Sequence, residues 1–218
     1  MKPKTPGPAG RKAMLCVHEL FHSIQGEGPF SGRPAVFLRL SGCVKPYCSF
    51  CDTSEALEKG KEFSEEKVLD EILSYKTSLV VITGGEPFLQ WQTGLQDLES
   101  SLMDQGLEVQ YESSGRAGIP ENVQGKVVLS PKPGQWPSPE ISKRAFALKP
   151  LMEEDPEPVL TAIQETGFPP EKIWLMALGA SREEQLQRMP LLWETCRKHG
   201  YHFCPRLHIL VHDRKKGV

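Results

Sequence analysis

The sequence predicts an α/β protein on a largely parallel sheet, a partial, trimmed (β/α) barrel. Two observations carry this expectation. Short apolar runs alternate with amphipathic stretches along most of the chain, the pattern of βαβ units. Four polar, glycine-bearing or serine-bearing loops directly follow strand-like runs, at the strand ends where parallel α/β proteins place their active sites.

Strand-like runs cover residues 15–24, 35–40, 79–83, 107–113, 126–130, 145–148, 173–176 and 205–211. Helical periodicity occupies roughly residues 64–73, 88–105, 156–166 and 181–199, with Pro190 expected to break or restart the last. The stretch from Glu112 to Lys149 holds strands but little helical pattern, so the barrel is expected to be incomplete. Residues 1–13 are rich in Pro, Gly and Lys and read as a flexible tail, leaving residues 14–218 as one domain.

Composition excludes several classes of function. A net charge of −2 leaves no basic footprint for nucleic acid. No apolar run approaches the roughly 18 residues of a membrane span. The six cysteines do not suggest a disulfide scaffold in a chain of 218 residues without a secretory signal. A reducing, cytoplasmic setting fits them better, with Cys16, Cys196 and Cys204 as buried thiols.

Cys43, Cys48 and Cys51 stand apart from those three. The spacing C-x4-C-x2-C in one turn-prone loop lets three thiolates converge on a metal centre, and Gly42 and Pro46 help bend the loop. A zinc site needs a fourth ligand, for which Asp52 or a distant histidine is the nearest candidate. A four-iron cube held by three thiolates leaves one iron open for chemistry.

The cysteine loop, together with the strand that ends in Gly84-Gly85-Glu86-Pro87, resembles the radical S-adenosylmethionine superfamily. Within it, several segments resemble the 7-carboxy-7-deazaguanine synthase family: residues 21–28 (FHSIQGEG), residues 32–40 (GRPAVFLRL), Cys51-Asp52-Thr53, Ser130-Pro131-Lys132 and Pro205-Arg206-Leu207-His208. The superfamily's usual first spacing is C-x3-C, so this loop carries one extra residue between Cys43 and Cys48; that spacing varies within the synthase family.

The resemblance implies a [4Fe–4S] cluster on Cys43, Cys48 and Cys51. Its open iron binds the methionine part of S-adenosylmethionine, which is cleaved reductively to a 5′-deoxyadenosyl radical. It implies ring contraction of 6-carboxy-5,6,7,8-tetrahydropterin to 7-carboxy-7-deazaguanine with loss of ammonia, on the route to queuosine and other 7-deazapurines. By position it assigns cofactor contacts to Phe50, Cys51, Asp52, Gly85, Ser130, Pro131 and Lys132. It assigns substrate contacts to Ile24, Gln25, Gly26, Arg39 and Thr83, and a Mg²⁺ ligand to Thr53, a hydroxyl oxygen suited to a hard cation. It further implies a flavodoxin or ferredoxin as electron donor, and a homodimer.

Each assignment competes with a plainer role. Arg39 interrupts an apolar strand and needs a partner if buried: a substrate carboxylate fits guanidinium geometry, and the alternatives are an edge strand with Arg39 in solvent or an internal salt bridge. Thr83 by default is a β-branched strand residue. Glu27 reads equally as a local cap or pair, and Glu112 equally as a pocket acid or part of a solvated strand face with Glu108 and Gln110. Lys132 as a surface lysine and His208 as a structural histidine are the corresponding alternatives. For the whole protein the alternatives are an activase that installs a glycyl radical on a partner, and a zinc-stabilised binding protein.

Overall fold

A computed structural model describes residues 13–48, 51, 53–57, 60–132, 134–215 and 217. The expected tail falls outside it except for Ala13, and so do Phe50 and Asp52. Ten strands and six α-helices follow in order: β1 Met14–Ile24, β2 Pro34–Leu40, β3 Lys61–Ser64, α1 Glu65–Ser74, β4 Leu79–Gly84, α2 Leu95–Asp104, β5 Glu108–Ser113, β6 Lys126–Leu129, α3 Pro139–Arg144, β7 Ala147–Leu148, β8 Leu151–Met152, α4 Glu157–Thr166, β9 Trp174–Ala177, α5 Arg182–His199, β10 His202–Phe203 and α6 Leu207–His212.

The main sheet runs β3-β1-β2-β4-β5-β6-β7, and a smaller one β10-β9-β8. Strands β2, β4, β5, β6 and β7 are parallel, while β1 pairs antiparallel with both β2 and β3. The two sheets are joined at β7 and β8. Leu148 bridges to Ile173, and Leu151 and Met152 pair with Met176 and Ala177, all at one constant register. Strands β7 and β8 are thus two halves of one strand, interrupted at Pro150, which has no N–H to donate. The first half pairs with β6 and the second with β9. This open, mostly parallel sheet with its covering helices is the partial barrel the sequence predicts.

Side chains alternate across it with period two. Val36, Leu38 and Leu40 of β2, Val80 and Ile82 of β4, Val109 and Tyr111 of β5 and Val127 and Leu129 of β6 join the core that also takes Val68 and Ile72 of α1, Leu98 and Leu102 of α2, Ile163 of α4 and Leu192 of α5. The alternate positions turn inward. Leu79, Val81, Ala35 and Phe30 form a second, small apolar cluster there, with Phe37 packed against it. Above that cluster the inward residues become polar, beginning with Arg39 and Thr83, which are register partners on β2 and β4.

Three expectations need correction. Residues 205–211 do not form a strand: the ladder of β10 ends with the bond from Cys204 N to Leu175 O, Pro205 offers no further donor, and the chain turns into α6. The helix expected over residues 88–105 is a 3₁₀ segment, Pro87–Thr93, followed by α2, with Gly94 between them. Pro190 neither breaks nor restarts α5. It lies on the exposed face, and Gln185, Leu192, Thr195 and Cys196 anchor the helix on both sides of it. The short elements β3, β8, β10 and α3 were not anticipated. For α3 the signal existed in Ser138-Pro139: Ser138 accepts from Ile141 N and Pro139 occupies the first turn.

Candidate active site

The inward ends of the strands open into a cavity of about 500 Å³. Cys43, Cys48, Cys51, Thr53, Gly85, Ser130 and Lys132 line it, together with Ile24, Gln25, Gly26, Arg39 and Thr83. The structure thus brings together every described site residue expected from the sequence except Pro131, which is buried and absent from the lining.

The cysteine loop is tied down at its root. Gly42 N donates to Ala56 O at 2.8 Å, Gln90 Nε2 to Ser41 O at 2.9 Å, and Glu86 N to Gly42 O at 2.8 Å. This contact explains the paired glycines at the end of β4. A Cβ on Gly84 would lie 2.0 Å from Leu40 O, and one on Gly85 would lie 1.9 Å from Gly42 O. Their close approach is therefore to the root of the cysteine loop itself.

Glu86 extends the same joint. It is fully buried and accepts from Ser113 Oγ at 2.8 Å, Ser114 N at 3.0 Å and Ser114 Oγ at 2.6 Å. Burial raises its pKa, and those hydrogen bonds oppose the rise. In the sequence Glu86 stands out only as part of the Gly84-Gly85-Glu86-Pro87 motif. Its partners lie 27 and 28 positions away, beyond what local pattern reveals.

The three thiols are free. Burial raises the Cys43 pKa. Among the described residues no three His, Cys, Asp or Glu side chains gather around a single metal ion. Three thiols on one cavity are the donor set of a cluster in which each cysteine binds a different iron, whereas a single zinc ion needs a fourth ligand.

A buried network of charges and amides borders the same cavity. Lys149 Nζ lies 2.6 Å from Glu27 Oε2 and 2.8 Å from Glu112 Oε2. Arg206 Nε reaches Glu27 Oε1 at 2.7 Å, and His208 Nε2 stands 3.8 Å from the same oxygen. Gln25 Nε2 donates to Gln110 Oε1 at 3.2 Å and to Glu112 Oε1 at 3.4 Å, while Gln110 Nε2 donates to Glu112 Oε1 at 2.8 Å. Burial works to raise the Glu27 pKa, but Lys149, Arg206 and His208 outweigh it and hold that carboxyl well below its usual range. Burial prevails at Glu112 and raises its pKa, with Lys149 opposing and Glu27 adding to the rise. Burial alone would lower Lys149; the two carboxylates reverse that and keep it an ammonium ion.

These contacts settle several alternatives. Glu27 pairs with residues far along the chain rather than capping locally. Glu112 and Gln110 face inward, and only Glu108 takes the partly solvated position, paired with Arg33 and Lys126. Arg39 makes an internal salt bridge, Nε bonding Glu19 Oε1 at 2.6 Å across the β1–β2 register, and it also lines the cavity. Lys132 faces the cavity. His208 sits in α6, against Gly26.

The comparisons with known proteins agree with this geometry. A model of the Radical SAM superfamily matches residues 39–124, the span from Arg39 past the cysteine loop and the Gly84-Gly85 turn. A crystal structure of QueE from Escherichia coli superposes with a TM-score of 0.72 at 25% identity, over 87% of this chain and 92% of that one. The chain is a radical S-adenosylmethionine enzyme with a [4Fe–4S] cluster and S-adenosylmethionine as its cofactors. A 7-carboxy-7-deazaguanine synthase from Hyperthermus butylicus is 36% identical over 91% of this chain and 93% of its own length. One from Pyrobaculum aerophilum is 32% identical over 92% and 96%. This chain belongs to the 7-carboxy-7-deazaguanine synthase family. No helix among the described residues is long and apolar enough to cross a membrane.

Proposed function

We propose that the chain converts 6-carboxy-5,6,7,8-tetrahydropterin to 7-carboxy-7-deazaguanine with loss of ammonia, in the formation of 7-deazapurines such as queuosine. The observation that carries this reading is the placement of the Gln25–Glu112–Lys149–Glu27 wall in the same cavity as the three cysteines. A bare radical initiator has no need of such a wall; a polar heterocycle bearing a carboxylate does.

Cys43, Cys48 and Cys51 would hold the cluster, and Gly85, Ser130 and Lys132 would contact S-adenosylmethionine. When bound, the two cofactors supply one-electron, radical-generating chemistry, and the protein supplies orientation and exclusion of water. Arg39, steadied by Glu19, receives the substrate carboxylate with its guanidinium fork. Gln25 presents its amide to the heterocycle, held from behind by the buried Gln110, and Thr83 adds a hydroxyl. Glu112, the carboxyl whose pKa burial raises, holds or releases the proton that departing ammonia requires. Glu27 and Lys149 stay charged and fix its position. Thr53 supplies a hydroxyl oxygen to a substrate-bound Mg²⁺. Lys45, Pro46 and Tyr47 of the cysteine loop are exposed, which gives a flavodoxin-like or ferredoxin-like donor a short route to the cluster. A cytoplasmic homodimer completes the reading on the strength of the family resemblance.

The test is an anaerobic incubation of the reconstituted protein with S-adenosylmethionine, a reductant and 6-carboxytetrahydropterin. The expected result is 7-carboxy-7-deazaguanine and ammonia in equal amounts. Formation of 5′-deoxyadenosine without either would assign the site to another substrate.

A further inference from the structure

The loop between Cys43 and Cys48 has an unusual partner. Arg116 Nη1 donates to Val44 O and to Pro46 O, each at 3.0 Å, and Nη2 donates to Lys45 O at 2.6 Å. One guanidinium thus holds three consecutive carbonyls. Those carbonyls belong to residues between the first two cysteines, where the chain is one residue longer than the C-x3-C spacing. Successive carbonyls of a tight loop cannot all find partners in a regular ladder. A planar fork of five N–H donors, charged at every working pH, matches a convergent set of them as an ammonium ion does not.

Arg116 is itself fixed by the Glu86 joint. It follows Ser113-Ser114-Gly115, and its N–H donates to Ser114 Oγ at 3.3 Å. Ser114 is held by Glu86, whose own N–H binds Gly42 O at the root of the cysteine loop. The chain of contacts therefore closes on itself: loop root, Glu86, Ser114, Arg116, loop crown. Both ends of the segment carrying Cys43 are anchored to the loops after β4 and β5.

We propose that Arg116 is a positioning residue for the cysteine loop: its guanidinium takes up the carbonyls of the longer spacing and places a permanent positive charge beside the cluster. The proposal rests on the reading that Cys43, Cys48 and Cys51 hold a [4Fe–4S] cluster. Such a charge favours the reduced, more negative cluster, because hydrogen bonding and local charge tune these potentials.

The test compares wild type with Arg116→Lys and Arg116→Gln, each reconstituted anaerobically. Iron retained after desalting, the electron paramagnetic resonance signal of the reduced cluster and its midpoint potential are measured without S-adenosylmethionine. Arg116→Gln is expected to lose iron roughly ten-fold faster, the scale of losing charge-assisted hydrogen bonds, and to shift the potential to more negative values. Arg116→Lys is expected to restore most of the potential but only part of the iron retention, since it keeps the charge and lacks the fork. Hydrogen exchange over residues 42–48 is expected to speed up in both variants, with the thermal midpoint unchanged. Wild-type iron retention, signal and potential in Arg116→Gln would overturn the proposal while leaving the cluster assignment in place. Failure of the wild type to take up a [4Fe–4S] cluster would overturn both.

Discussion

The Lys149 ammonium lies 2.6 Å from the Glu27 carboxylate, a contact between residues 122 positions apart that joins the loop after β1 to the junction of β7 and β8. Lys149 sits at the break between β7 and β8, so the strand that changes neighbours there also delivers the cation. Glu27 receives it together with Arg206, from the segment leading into α6.

Replacing Lys149 with Met leaves Glu112 buried without its main counter-charge. A loss of about 3 kcal/mol in stability is expected at neutral pH, the scale of breaking one side of a buried pair. The pH dependence has a definite sign. The Glu112 pKa is raised in the folded protein, so its contribution is fully present below the unfolded value and lost as pH rises through the folded one. Without Lys149 that loss deepens. Denaturant unfolding of Lys149→Met should show a deficit that grows from pH 5 to pH 8; a deficit independent of pH would place the effect elsewhere.

Arg39→Lys separates recognition from folding. The Arg39–Glu19 pair is partly exposed, so stability should change by less than about 1 kcal/mol. An ammonium ion cannot grip a carboxylate bidentately. The KM for the pterin should rise by roughly ten-fold, the equivalent of about 1.4 kcal/mol, while S-adenosylmethionine binding is unchanged. Steady-state kinetics at saturating cofactor would show it.

Gly85→Ala tests the joint beneath the cysteines. The added methyl would have to displace Gly42 O, 1.9 Å away, at a cost of about 1–3 kcal/mol. Iron content after reconstitution should fall along with the urea midpoint. Full iron occupancy in this variant would mean that the loop root can move without consequence.

Thr53→Ala removes one hydroxyl from the cavity lining. Product formation titrated with Mg²⁺ should lose its metal stimulation, with 5′-deoxyadenosine still formed. An unchanged titration would remove Thr53 from the metal site.

What was legible in the sequence shared one property: the signal lay within a few residues. The cysteine spacing, the Gly84-Gly85-Glu86 turn, and Gln25-Gly26-Glu27 all announce themselves locally. So does the fully buried run Leu79, Val80, Val81 and Ile82, which reads as a central parallel strand and proves to be one. Strand register decides the rest. Lys149 reads as an ordinary residue past the end of a short apolar run, and only the pairing of β6, β7 and β9 turns it toward Glu27 and Glu112. Arg116 follows a serine and glycine turn like many surface arginines; its three carbonyl partners lie 70 to 72 positions away. The segment from Pro205 to Val211 has the apolar content of a strand, yet Leu207–His212 is a helix, because a six-residue element is too short for its periodicity to separate the two.

The central claim is that the cysteine wall and the charged wall act on one substrate in one cavity. The most direct measurement uses 6-carboxytetrahydropterin deuterated at C6 in a single anaerobic turnover, with mass analysis of both products. The account predicts deuterium in the 5′-deoxyadenosyl group, recovered as 5′-deoxyadenosine or as the cofactor, together with 7-carboxy-7-deazaguanine, to which the abstracted hydrogen returns because the conversion is redox-neutral. Unlabelled 5′-deoxyadenosine, with the pterin recovered intact, would contradict it.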